Sequence, residues 1–95
     1  MELVFDGRVI EWRGPSPFHF VAVPEDESAD IRQIASAVTY GWGVVPVDAR
    51  IGGSGFSTSL FPRDGGYLLP LKKAVRVSQG LSAGDEVTVT MTVRL

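Results

Sequence analysis

The stretch YLLPLKKAVRVSQGLSAGDEVTVTMTV, residues 67–93, holds in order a short apolar strand, a proline, a helical turn with three cations, two glycines and a long strand. Its last part is the plainest pattern in the chain. Val87, Val89, Met91 and Val93 alternate with Thr88, Thr90 and Thr92, the period of two expected of a strand with one face buried. Pro70 is placed to open a helix from about Leu71 to Gln79, because its fixed φ and missing N–H suit a first helical turn. Gly80 is placed to close it. The same order occurs once before. FHFVAV (18–23) is a strand ended by Pro24, EDESADIRQIASAV (25–38) a helix closed by Gly41 and Gly43, and VVPVDARI (44–51) a strand. Pro24 and Pro70 occupy equivalent points. A strand–proline–helix–glycine–strand unit used twice builds a closed barrel from two interleaved halves.

The remaining elements fit that frame. ELVFDGRVIEW (2–12) is a strand with a bulge expected at Gly7. RGPSP (13–17) is a loop, GGSG (52–55) a turn, FSTSLF (56–61) an alternating strand and RDGG (63–66) a hairpin turn of the Asp-Gly kind. Acids crowd the start of the 25–38 helix, with Ser28 as its candidate N-cap. Pro46 implies an edge strand or a bulge. The expected fold is a single domain over 1–95, mainly β: a small closed β-barrel of six or seven strands with two short helices, monomeric or weakly dimeric.

Composition narrows the function classes. A chain of 95 residues with 44% hydrophobic and 21% charged residues is an ordinary small globular domain, and 11 Gly with 6 Pro point to many tight turns. Without cysteine there is no disulfide, thiol nucleophile or thiolate metal site. With His19 as the one histidine, neither a transition-metal site nor a serine–histidine–acid triad is expected, and no cofactor is implied. MELVFDGRVIEW places acids early and lacks a long apolar stretch, unlike a secretory leader. No apolar run approaches membrane-spanning length. The expectation is a cytoplasmic protein with no membrane partner.

Charge is unevenly spread. The net charge is −2, but residues 1–49 hold three basic and eight acidic side chains, whereas 50–76 hold five basic and one acidic. Within the basic segment, Lys72, Lys73 and Arg76 share one arc of the 71–79 helix. Cations in a first turn oppose the helix dipole, at roughly 0.3–1 kcal/mol each. A bound anion would offset that cost; a solvated face is the plainer alternative. The candidate ligand residues are Lys72, Lys73 and Arg76, joined by Arg63 from the neighbouring hairpin and by Gly53 and Ser54 of the GGSG loop. Ser57 and Ser59 share one strand face and read first as its polar side. Asp85 reads as a turn carboxylate bonded to local N–H groups. Trp12, Tyr40, Trp42 and Tyr67 lie near strand ends, where they pack in the core or line a barrel mouth. No pair of titratable groups suggests general acid–base chemistry, so no residue is proposed as catalytic and a non-enzymatic role is favoured. The partner expected is a small anionic ligand or an acidic protein segment. The alternative is a nucleic-acid-binding regulator; against it, the pI of about 5.2 argues against useful duplex affinity.

The elements WG.VPV, IGG..F.TSLFP, G.Y.LP.K.AVR and G...GD.V together resemble the bacterial and archaeal family called domain of unknown function 1905. The resemblance spans nearly the full length. It implies a barrel of the double-split, swapped-hairpin type and no assigned reaction. LP.K.AVR...GL..GDEV is also similar to the core segment of transition-state regulators and MazE-type antitoxins, which build such a barrel from two chains. Here one chain supplies both halves, and the first half departs from that pattern by being acidic, with Glu25, Asp26, Glu27 and Asp30 about its helix.

Overall fold

The computed structural model describes residues 1–14, 18–38 and 43–94. In chain order it contains β1 (Glu2–Trp12), β2 (Phe18–Ala22), α1 (Glu25–Val38), β3 (Val45–Ile51), β4 (Ser54–Arg63), β5 (Gly66–Leu71), α2 (Lys73–Ser78) and β6 (Glu86–Val93). The six strands close into an antiparallel barrel in the order β1-β2-β5-β4-β3-β6.

Two long strands turn the corners. β1 pairs with β6 from Glu2↔Thr92 to Arg8↔Glu86, then with β2 from Val9↔Val21 to Trp12↔Phe18. β4 pairs with β3 from Ser54↔Ile51 to Leu60↔Val45, then with β5 from Phe61↔Leu68 to Arg63↔Gly66. The barrel is therefore two sheets sharing a split β1 and a split β4. Exchanging the half β1-β2-α1-β3 for β4-β5-α2-β6 leaves every pairing unchanged. The repeat of strand, proline, helix and strand is thus a pseudo-twofold axis that crosses the β2–β5 and β3–β6 pairs.

Inward side chains fill the interior. Val9, Val21, Val45, Val47, Leu60, Leu69, Val89 and Met91 are essentially solvent-free, and Phe5, Ile51 and Val93 pack with them. Ile31 of α1 and Val75 of α2 join the same cluster. Since β2 and β5 run antiparallel and each precedes a helix, the helices stand at opposite ends of that pair.

Several expectations change. Pro70 lies inside β5, opposite Phe20, and the helix after it is only Lys73–Ser78 with Lys72 as N-cap. Pairing with β2 extends the strand past the proline, which needs no donor on its outward flank. Ser28 lies within α1: its N–H is bonded to the Pro24 carbonyl, and its buried hydroxyl donates to the Val23 carbonyl instead of capping. Gly7 forms no bulge, because the β1–β6 register runs through it unbroken. Pro46 is not on an edge, as the closed barrel has none. Its carbonyl accepts the Arg94 N–H, so its nitrogen also points towards β6, just where β6 ends. The GGSG turn shrinks to Gly52 and Gly53, with Ser54 and Gly55 already in β4. The Asp-Gly hairpin is as expected, with φ of 52° at Asp64 and 80° at Gly65, the positive pair that a tight primed turn demands. Tyr40, Gly41 and Trp42 lie outside the described residues.

Candidate functional site

α2 is short, so its position is imposed by contacts at its C-terminal end. Gly80, at φ 64°, donates to the Val77 carbonyl, and the Leu81 N–H returns to Arg76. Gln79 Nε2 donates to Ser54 Oγ at 2.9 Å, and Ser54 Oγ lies 3.3 Å from Ser78 Oγ. The Asp85 carboxylate accepts the Ser82 N–H at 2.8 Å, the local turn bond expected of it. Ser54 and Gly53 therefore sit at the far end of the helix from its lysines, and Ser54 anchors that end.

At the other end, a cleft of about 440 Å³ opens between the outer face of β2 and β5 and the start of α2. Phe18, Phe20, Pro70 and Leu71 form its apolar floor, and His19, Lys72, Lys73 and Arg76 its polar rim. Lys72 and Lys73 are exposed, and among the described residues none of the three cations has a carboxylate partner. The Arg76 Nε–H is buried and has no hydrogen-bond acceptor. A buried guanidinium donor left unpaired costs stability. The site is an apolar cleft with a few convergent donors, as small-ligand sites usually are.

Arg63 is not among them. It lies at the end of β4, by the β4–β5 turn, with its guanidinium carbon 5.7 Å from the centre of the Trp12 ring and its Nε 3.7 Å from Asp64. It lines a separate cleft of about 360 Å³ with Ile10, Trp12 and Leu68. His19 is half-buried, with Nε2 3.5 Å from Glu11 Oε2 across the β1–β2 pair. Ser57 donates to Asp48 at 2.5 Å on the polar outer side of β3 and β4. Among the described residues no group of three or more His, Asp or Glu could hold a metal ion. None of the described helices is long and apolar enough to cross a membrane.

Sequence reasoning missed the outer face of the β1-β2-β5-β4 sheet. Ile10, Phe20, Leu68, Pro70 and Phe61 all point outward there. Phe20 and Leu68 are nonetheless buried, Phe20 against Phe61 in an edge-to-face pair at 5.2 Å. Trp12 and Phe18 rise from this layer at 56% and 57% exposure, large for aromatic side chains. The barrel's other outer half presents Asp6, Asp48, Arg50, Thr88, Thr90 and Thr92. The apolar residues on both sides of FHFVAV were the available sign of the aromatic face.

A family model described as a domain of unknown function, DUF1905, matches residues 5–91, and the chain belongs to that family. No curated protein matches it.

Proposed function

We propose that this member of the DUF1905 family is a non-enzymatic binding module whose cleft beside α2 takes the anionic group of a small ligand or of an acidic protein segment. The observation that supports this reading is the convergence of Lys72, Lys73 and Arg76, none paired with a described carboxylate, on one cleft with an apolar floor. The helix dipole adds little, since α2 is only six residues long. The cations themselves, over an apolar floor that lowers the local dielectric, supply the attraction. Duplex nucleic acid fits less well: one cationic end on an acidic chain neutralises few phosphates.

Thermal melting in sulfate and phosphate tests the reading. Ligand binding to the folded state raises stability by about 2.7 kcal/mol at a hundredfold excess over Kd. Sulfate also stabilises proteins generally by exclusion from their surface, so the Lys72→Ala/Lys73→Ala double variant is the essential comparison. A saturable rise in Tm that the double variant loses is expected. An equal rise in both proteins would show that no anion is held there.

A further inference from the structure

A row of aromatic rings ends in the α2 cleft. Phe61 meets Phe20 edge to face at 5.2 Å, and Phe20 meets Phe18, tilted, at 6.3 Å. Phe20 is buried, whereas Phe18, last in the row, is 57% exposed and lines the cleft with Pro70 and Leu71. A planar ring laid against Phe18 would extend the row and cover that exposed side chain. The charge beside this ring is also unmatched. Among the described residues Arg8, Arg13, Arg63 and Arg94 each pair with a carboxylate. Lys72, Lys73 and Arg76, on the rim of the cleft, do not. A single carboxylate would answer one of these three positive charges. A phosphate monoester carries about −1.5 to −2 at neutral pH and three acceptor oxygens, so it answers more of them.

We infer that the ligand of this cleft is a nucleotide, its base stacked on Phe18 and its phosphate held by Lys72, Lys73 and Arg76. The inference rests on the reading of the α2 cleft as an anion site and adds the ring to the anion. Inorganic phosphate would use the cations and leave the Phe18 ring in water. An aliphatic acid would use the apolar floor and leave most of the positive charge unanswered. A ligand with both a planar ring and a phosphate uses the floor and the rim together, and a cleft of about 440 Å³ is of the size that small-ligand sites have. Stacking tolerates any base, because every base has a π-face. The same chemistry is offered by a free mononucleotide and by the 5′-phosphorylated end of a single strand.

Isothermal titration calorimetry on the full chain tests it, with AMP, GMP, CMP and UMP set beside ribose 5-phosphate. Melting by circular dichroism confirms that each variant is folded, as expected for changes at the exposed Phe18, Lys72 and Lys73. Stacking should make at least one of the four nucleotides bind roughly fivefold or more tighter than ribose 5-phosphate. Phe18→Leu keeps an apolar side chain but no ring, so it should remove most of that preference and leave ribose 5-phosphate binding as in the wild type. Lys72→Ala/Lys73→Ala should weaken nucleotide and ribose 5-phosphate alike, roughly tenfold or more. Four nucleotides that bind no tighter than ribose 5-phosphate, or a preference that survives Phe18→Leu, overturn the inference. If ribose 5-phosphate still binds through Lys72 and Lys73, the anion site stands and only the ring is removed from it. If the lysines matter to none of these compounds, both readings fall. A 5′-phosphorylated single strand of about four nucleotides then separates the sources. Binding tighter than every mononucleotide assigns the ligand to a strand, and equal or weaker binding assigns it to the free nucleotide; each result upholds the joint recognition of ring and phosphate.

Discussion

Gly7 stands in β1 just before the strand passes from β6 to β2 at Arg8 and Val9, and its replacement by alanine tests the account of the split strand. A Cβ built there lies 2.5 Å from Val21 Cγ1 and 3.0 Å from the Ala22 carbonyl oxygen. Neither can yield cheaply. Val21 is fully buried and, being β-branched, stiff at χ1, and the carbonyl belongs to the β2 backbone. Overpacking of this kind costs about 1–3 kcal/mol. The reduced freedom of the unfolded chain returns about 0.4–1 kcal/mol. The 2.5 Å approach to a rigid, buried neighbour places the cost in the upper half of that range, so a net loss of about 1–2.6 kcal/mol follows, or a Tm lower by roughly 4–20 °C for a domain of this size. Gly53→Ala is the control, because nothing lies within 4 Å of its added Cβ and its φ is not positive. It should shift stability by no more than about 0.5 kcal/mol. Val21→Ala opens space beside the new methyl, so Gly7→Ala/Val21→Ala should lose less than the sum of the single losses. Urea denaturation of the wild type and the four variants supplies the energies. If Gly7→Ala unfolds with Gly53→Ala, β1 does not press on β2 at this point and the described corner is wrong.

Two further substitutions probe parts of the site's scaffold. Gly52→Ala places a side chain at φ 57° and against the Gln79 amide, so it should cost about 1–2 kcal/mol by calorimetry and loosen the end of α2 that Ser54 and Gln79 hold. Ser28→Ala should cost about 1 kcal/mol in urea titrations, through the lost hydrogen bond to the Val23 carbonyl; an unchanged midpoint would mean that this buried bond contributes nothing.

The elements were legible wherever local chemistry and tertiary pairing agree. The Val/Thr alternation of β6, the Asp-Gly turn and the acidic start of α1 each needed only neighbouring residues to be read. Pro70 was misread because its local preference for a helix start competes with pairing to Phe20, and the pairing is decided by a strand some fifty positions away. Lys72, Lys73 and Arg76 line one cleft, a juxtaposition legible in the sequence because helical spacing is local. Arg63 and Ser54 lie away from that cleft, and their placement depended on which ends of β4 and β5 meet α2. Arg63 ends β4 beside the turn into β5, whereas α2 follows the opposite end of β5 and packs near the start of β4. The outward aromatic layer escaped for a related reason. Phe20 and Leu68 are buried on the outside of the barrel, and alternation shows only that neighbours face opposite ways, not which way is in.

The two helices differ in what holds them, and that difference bears on where function can reside. α1 has 14 residues, starts with acids that favour its dipole, and places Ile31 wholly within the core. α2 has six residues, no side-chain cap and a single buried side chain, Val75, worth about 1.5–3 kcal/mol. A helix of that length has no stability of its own in water. It persists because the barrel end and the Ser54–Gln79–Ser78 bonds fix its last turn. Its cations are therefore not required by the core or by the helix. Replacing Lys72 and Lys73 with alanine should leave the fold intact, even slightly steadier at the helix start, while removing the charge that the cleft presents.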